Sequence, residues 1–220
     1  MFSYLPTKRK NYPPIFAVMF LLQAPVLLSI WTYIDPADRW LIKHINQDWG
    51  NPVFDLLLPF ARETAVWYPL YLFLFLFVTM NFGIRGLWWI VGFALTAALA
   101  DIISSHVIKE LILRTRPCQD PIVGPQLRFF INYCPGSSSF TSSHATTHFA
   151  QGMFFYLTLR RVLKWAWLFL AWAFIISYTQ VYVGVHYPFD VLCGGIVGCG
   201  IGFIISKLHL KQAGLLSLDK

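Results

Sequence analysis

The chain has 220 residues, 57% of them hydrophobic and 12% charged, which excludes an ordinary water-soluble domain and describes a protein whose solvent is mostly lipid. Its net charge of +7 does not point to nucleic acid, because Lys and Arg sit at the ends of apolar runs rather than in a stripe. With no compositional break, Gly/Ser-rich linker or evident repeat, residues 1–220 read as a single domain.

Lys8, Arg9 and Lys10 precede the first apolar run, Ile15 to Ile34, which is about one bilayer thickness long. The basic triplet argues for a cytoplasmic N-terminus, and the lack of a small-residue cleavage site before Asp35 favours a span over a cleaved signal. From Asp35 to Glu63, Trp40, Trp49, Phe54 and Leu56 to Leu58 mix with Asp38, Arg39, Lys43, Asp48 and Asp55, as in amphipathic structure lying at a membrane surface. A second run, Val66 to Phe82, meets a third, Leu87 to Ile108, through a short turn holding Gly83, Arg85 and Gly86. Helices joined so briefly are antiparallel neighbours. Ala145 to Leu159, Trp165 to Tyr178 and Pro188 to Ile205 complete six runs.

The expected fold is therefore all-α: an integral membrane bundle of six transmembrane helices with one interfacial amphipathic segment. With both termini inside, ten basic residues face the cytoplasm and seven face out, four of the seven in the stretch 109–128 that carries chemistry. This topology puts the Leu113 to Ser143 loop and the Val181 to Tyr187 segment on one outer face. Cys118 and Cys134 flank that loop and are expected to pair if it meets an oxidising compartment, whereas Cys193 and Cys199 read as packing residues.

His186 and Asp190 stand four residues apart around Pro188, a residue suited to the first turn of a helix. A carboxylate one turn away can hold one ring nitrogen and leave the other to attack or to move a proton; a plain helix-start histidine has the same pattern. Lys109 and Arg116 lie close to lipid. A charge there costs roughly 2.5–3.5 kcal/mol at a helix centre and less near the interface, so an anionic partner is expected, although Lys109 can also snorkel to headgroups. Asp101, Ser105 and Lys109 share one helical face, so Asp101 is a candidate partner for the lysine or a plain interhelical contact. Gly136 to Ala145 is rich in hydroxyl residues at a helix start, where free N–H groups and the helix dipole favour an anion. His144 at its edge is placed to give a proton to a leaving oxygen. His148 and Gln151 continue that face inward as interhelical hydrogen-bonding residues.

Three elements carry a resemblance. Lys109 with Arg116-Pro117 has K-x6-R-P spacing, Ser142-Ser143-His144 is similar to P-S-G-H, and His186 with Asp190 matches the end of S-R-x5-H-x3-D. In this order they resemble the signatures of the type 2 phosphatidic acid phosphatase superfamily. Thr141, Ser143 and Thr179-Gln180 depart from the pattern, and Gln180 replaces a fixed positive charge that the family uses to hold phosphate, a role for which Arg114 or Arg128 is a candidate substitute.

The resemblance implies a membrane phosphatase acting at the outer leaflet on a lipid phosphomonoester or pyrophosphate of the undecaprenyl pyrophosphate, phosphatidylglycerophosphate, phosphatidic acid or lipid A phosphate type. His186 is implied as nucleophile, Asp190 as its orienting group and His144 as acid and base. Lys109, Arg116, Ser142, Ser143 and Gln180 are implied as phosphate holders. No cofactor or metal is implied, and the partner is the phosphorylated lipid itself, with no protein partner or nucleic acid. A bacterial inner membrane, with the site on the periplasmic face, suits the charge placement, and an endoplasmic reticulum or other organelle membrane is the alternative. A phosphotransferase using the same site, and a non-catalytic phospholipid-binding or transport protein, are the competing readings.

Overall fold

In the computed structural model, residues 30–214 and 216 are described. The chain divides between Ala37 and Asp38 into two units. Of the first, residues 30–37 are helical. Most of the expected first span, and the basic triplet before it, lie outside the described residues. The second unit begins with a short helix, α1 (residues 38–43), which widens into a π-helical turn, His44–Asp48.

Helix α2 (Pro52–Arg62) starts where Asn51 accepts the Phe54 N–H at 3.0 Å and Pro52 fills the first turn. It buries Leu58 and Arg62 and leaves Val53, Leu56, Leu57 and Phe60 outside. Only Gly83 separates α3 (Tyr68–Phe82) from α4 (Ile84–Leu111), and its φ of 52° is a conformation that glycine adopts without a Cβ clash. Near its end, α4 loosens into a π-helical stretch, Ile102–Ile108.

A long loop then leads to α5 (Ser143–Leu159), α6 (Leu168–Tyr182) and α7 (Pro188–Ala213). All elements among the described residues are helical. Trp89 of α4, Phe154 and Phe155 of α5, and Phe169 and Trp172 of α6 form the main buried cluster. Apolar side chains such as Leu72, Trp88, Leu192 and Phe203 cover the outside as well, which suits a lipid solvent.

Thr64–Phe82, Ile84–Leu111 and Pro188–Ala213 are long and apolar enough to cross a membrane; Leu168–Tyr182 is apolar but shorter. The first turns of α5 carry Ser143, His144, Thr146, Thr147 and His148, so only its second half is apolar. Helix α6 reaches four residues beyond Tyr178, which makes Thr179 and Gln180 part of its last turn.

Helices α5 and α7 pack closely enough to bring the segments bearing His144 and His186 together. A Cβ on Gly198 would lie 2.2 Å from the Thr146 carbonyl oxygen, and one on Gly202 would lie 2.3 Å from that of Ala150. Only glycine allows so close an approach, and the four-residue spacing of Gly194, Gly198 and Gly202 presents a smooth stripe to α5. At the stripe's upper end the Ser142 N–H reaches the Asp190 carbonyl at 3.2 Å, tying the start of one helix to the other.

A disulfide between Cys118 and Cys134 closes part of the loop between α4 and α5 across a sequence separation of 16. A link over that length restricts the unfolded chain by about 3 kcal/mol. Cys118→Ser is expected to lower the melting temperature in detergent by several degrees, and the same drop should follow mild reduction of the unmodified protein. A melting temperature unmoved by either treatment would show that the link does not hold the loop.

Candidate active site

Pro188 opens α7, so His186 lies just outside the helix and Asp190 within its first turn. His186 is 2% exposed and Asp190 fully buried. Imidazole Nδ1 and carboxylate Oδ2 are 3.7 Å apart, close enough for charge attraction but too long for a good hydrogen bond. On the other side of the ring, Arg116 Nη1 lies 3.0 Å from Nε2. A guanidinium can only donate, so Nε2 is the acceptor and the ring proton belongs on Nδ1, facing Asp190. Burial drags the His186 pKa down to about 4, against the pull of the Asp190 charge. The ring is thus neutral at neutral pH, with its lone pair on Nε2.

Asp190 is held from all sides. Its Oδ1 accepts from Arg114 Nη1 at 2.6 Å, and its Oδ2 accepts from Ser139 Oγ at 2.5 Å and the Tyr187 N–H at 3.0 Å. The other arm of Arg114 meets Asp38 at 2.7 Å, and the guanidinium lies 4.3 Å over the Tyr187 ring. Tyr187 in turn donates to Asp120 at 2.6 Å. Burial raises the Asp120 pKa, but Tyr187, two loop N–H groups and Arg39 outweigh it and hold the carboxyl below its usual range.

Arg116 is tied down by its loop. It donates to the carbonyls of Ser137, Val185 and Ser138 and to Ser137 Oγ, all between 2.8 and 3.3 Å. Burial lowers its pKa to about 10, which still leaves it fully charged. Lys109 pairs with no carboxylate among the described residues, yet its charge acts on both His144 and His186. Lys109 forms no direct ion pair with Asp101 among the described residues, although the Asp101 charge still acts on it. The π-helical stretch carries Lys109 off the face that a regular helix would give it, and Asp101 takes the Ser105 hydroxyl instead, at 2.9 Å.

Ser142 caps α5 by accepting the Ala145 N–H at 3.4 Å, and Ser143 Oγ lies 2.9 Å from Ser105 Oγ. His144 sits in the first turn beside them, its ring parallel to that of His148 at 6.1 Å. Among the described residues His148 makes no hydrogen bond to another helix: its Nδ1 donates to the His144 carbonyl at 2.8 Å, and its ring packs on Trp172. Gln151 does cross helices, accepting from the Tyr71 hydroxyl at 3.2 Å.

Neither loop arginine is free to replace the charge absent at position 180. Arg114 is engaged by Asp190 and Asp38, and Arg128 by both oxygens of Asp55, at 2.9 and 3.1 Å, and by Asn46. Gln180 is fully buried, and its Oε1 accepts from Arg62 Nε at 3.1 Å. Sequence reasoning passed over Arg62, Asp38 and Ser139, which lie outside the spaced signatures. The one sequence signal was that Arg62 ends an apolar turn, where a lone guanidinium needs a partner.

Fold and charge together define an integral membrane α-helical protein with a cluster of cations beside two histidines. Residues 87–213 match the PAP2 superfamily, and the chain belongs to it. It is 32% identical to the lipid A 4'-phosphatase of Bacteroides thetaiotaomicron over 77% of this chain and 76% of that one. It is 30% identical to the undecaprenyl-diphosphatase of Sulfolobus acidocaldarius over 91% and 93%. Among solved structures, the PAP2 type phosphatidylglycerolphosphate phosphatase of Bacillus subtilis covers 90% of the chain with a TM-score of 0.63 at 18% identity.

Proposed function

We propose that the protein hydrolyses a phosphomonoester or pyrophosphate on a membrane lipid through a phosphohistidine. The observation that carries this reading is the buried, neutral His186, with Nε2 turned to Arg116 and Nδ1 to Asp190. Nε2 attacks phosphorus in line, the bond to the lipid oxygen breaks, and His144 gives that oxygen its proton. The negative charge of the phosphate favours the protonated form of His144 among so many cations. Water then gives a proton to His144 and attacks the phosphohistidine, releasing phosphate. Arg116 turns from Nε2 to the equatorial oxygens, which Lys109, the Ser143 N–H and Gln180 also approach. Ser142 joins them: its oxygen already accepts the cap bond, so its proton is free to be donated.

The lipid class is supported by an apolar groove of about 480 Å³ bordered by Phe149, Phe174, Tyr178, Val181, Val191 and Leu192, with Pro188 also in its lining. It has room for part of an acyl or isoprenyl chain. The reading includes six spans, α2 lying at the membrane surface, both termini in the cytoplasm and the site facing the periplasm of a bacterial inner membrane. A phosphorylated lipid is the substrate, and no metal takes part.

The test is phosphate release by purified protein in EDTA from lipid A phosphate, undecaprenyl pyrophosphate, phosphatidylglycerophosphate and phosphatidic acid. Release from at least one lipid is expected, undiminished by the chelator. Because nucleophilic His186 stays neutral down to about pH 4, the acid limb of kcat/KM assigned to it should fall near 4 rather than 6.5. Wild-type protein that releases nothing from any of the four, or only when a second lipid alcohol accepts the phosphoryl group, would overturn hydrolysis in favour of binding or transfer.

A further inference from the structure

Arg62 ends α2, outside every spaced signature, yet it is 7% exposed and its side chain reaches inward. A buried guanidinium is normally neutralised by a carboxylate, since an uncompensated charge away from water is costly. Arg39 has Asp120, Arg114 has Asp38 and Asp190, and Arg128 has Asp55. Arg62 has no acidic partner among the described residues: Nε donates to Gln180 Oε1 at 3.1 Å and Nη2 to the Tyr133 hydroxyl at 3.3 Å. Its Nη1 makes no hydrogen bond with the described residues and is not sealed from solvent.

The surroundings sharpen the question of what balances this charge. Arg62 acts electrostatically on His144 and on Arg116, while Lys109 acts on both histidines. Three cations therefore crowd one pair of imidazoles. The nearby Asp190 is already engaged by Arg114, Ser139 and the Tyr187 N–H. Such a knot repels itself until an anion enters, and the anion must be able to offset more than one positive charge. Gln180 is the polar neighbour that lets Arg62 in: a cation at that position would repel it, whereas the neutral amide aims it.

We infer that Arg62 is a phosphate-binding residue, its guanidinium meeting the substrate's phosphoryl oxygens from α2 in place of a cation at position 180. The inference rests on the lipid phosphatase reading and adds to it a residue from outside the signatures. Together Lys109, Arg116 and Arg62 approach the phosphoryl group from α4, the loop and α2. Arg62 and Gln180 then form one functional unit, in which the charge is transposed from one helix to a neighbour.

The experiment is a swap in the full-length protein: Arg62→Gln, Arg62→Lys, Gln180→Arg and the double variant Arg62→Gln/Gln180→Arg. The readouts are lipid phosphate release, inhibition by inorganic phosphate or orthovanadate, and the melting temperature with and without those anions. Losing a charge-assisted contact should raise KM and the inhibition constants roughly 10- to 100-fold in Arg62→Gln. The anion-dependent rise in melting temperature should shrink while the anion-free value stays near wild type. Arg62→Lys should fall between. Gln180→Arg alone, which sets two guanidiniums against each other, should impair the enzyme, and the double variant should recover much of the loss. A purely structural Arg62 would move the anion-free melting temperature and would not be rescued by the double variant. That outcome, or unchanged anion inhibition in Arg62→Gln, overturns the inference. If Arg62→Gln does not fold, Arg62→Lys and the double variant carry the same comparison. Wild-type protein inactive on every lipid would instead overturn the phosphatase reading, whereas active wild type with an equally active Arg62→Gln rejects only the assignment of Arg62.

Discussion

His186→Ala is expected to reduce phosphate release by roughly 10⁴- to 10⁶-fold, the scale on which removing the nucleophile of a cooperating catalytic set is felt. The variant should stay folded. His186 Nδ1 has no hydrogen-bond partner among the described residues, so the change removes a ring without stranding one at that atom. The bond it does break, from Arg116 Nη1, leaves a guanidinium still held by Ser137, Ser138 and Val185. The check is to measure release beside melting temperature. Rapid alkaline quenching with a labelled lipid adds a direct view, because the acid-labile phosphohistidine should carry label on the wild-type protein and be absent from His186→Ala. Substantial turnover by His186→Ala would remove the covalent step from the mechanism.

The second large effect should come from Arg114. Its guanidinium is buried between Asp190 at 2.6 Å and Asp38 at 2.7 Å and forms a salt bridge with each. Arg114→Met preserves much of the volume but leaves both acids uncompensated, at a cost of about 3–5 kcal/mol. Melting temperature should fall sharply. In whatever fraction folds, kcat should drop more than KM rises, since Arg114 does not touch phosphate in this reading but holds the carboxylate that orients His186. Asp38→Asn should be milder, because Asp190 continues to satisfy the arginine. If Arg114→Met instead raised KM with kcat intact, Arg114 would belong to the phosphate pocket after all.

Much of this protein was legible in the order of its residues. Pro188 with Asp190 marks one helix start, the hydroxyl-rich stretch before Ala145 another, and Gly83 a tight turn, and each acts through groups only a few residues away, so local spacing suffices. The apolar runs announce lipid because the bilayer requires length and hydrophobicity of each helix separately. The glycine stripe at 194, 198 and 202, by contrast, took its meaning only from the helix it meets.

The sequence by itself therefore determined the membrane character, the helical class, the family signatures and the pairing of His186 with Asp190 across one turn. Tertiary structure alone decided how the cations are shared out. In the sequence Arg62, Arg114 and Arg128 are three similar charges at the ends of apolar runs or in the long loop. In the fold, Arg114 is engaged by two acids, Arg128 by Asp55, and Arg62 turns toward Gln180 from 118 residues away. Lys109 likewise makes no direct ion pair with Asp101, whose charge reaches it across a π-helical stretch. Which charge meets which depends on long-range packing, since electrostatic partners are chosen by distance in space and by burial, and neither is written in the spacing of residues along the chain.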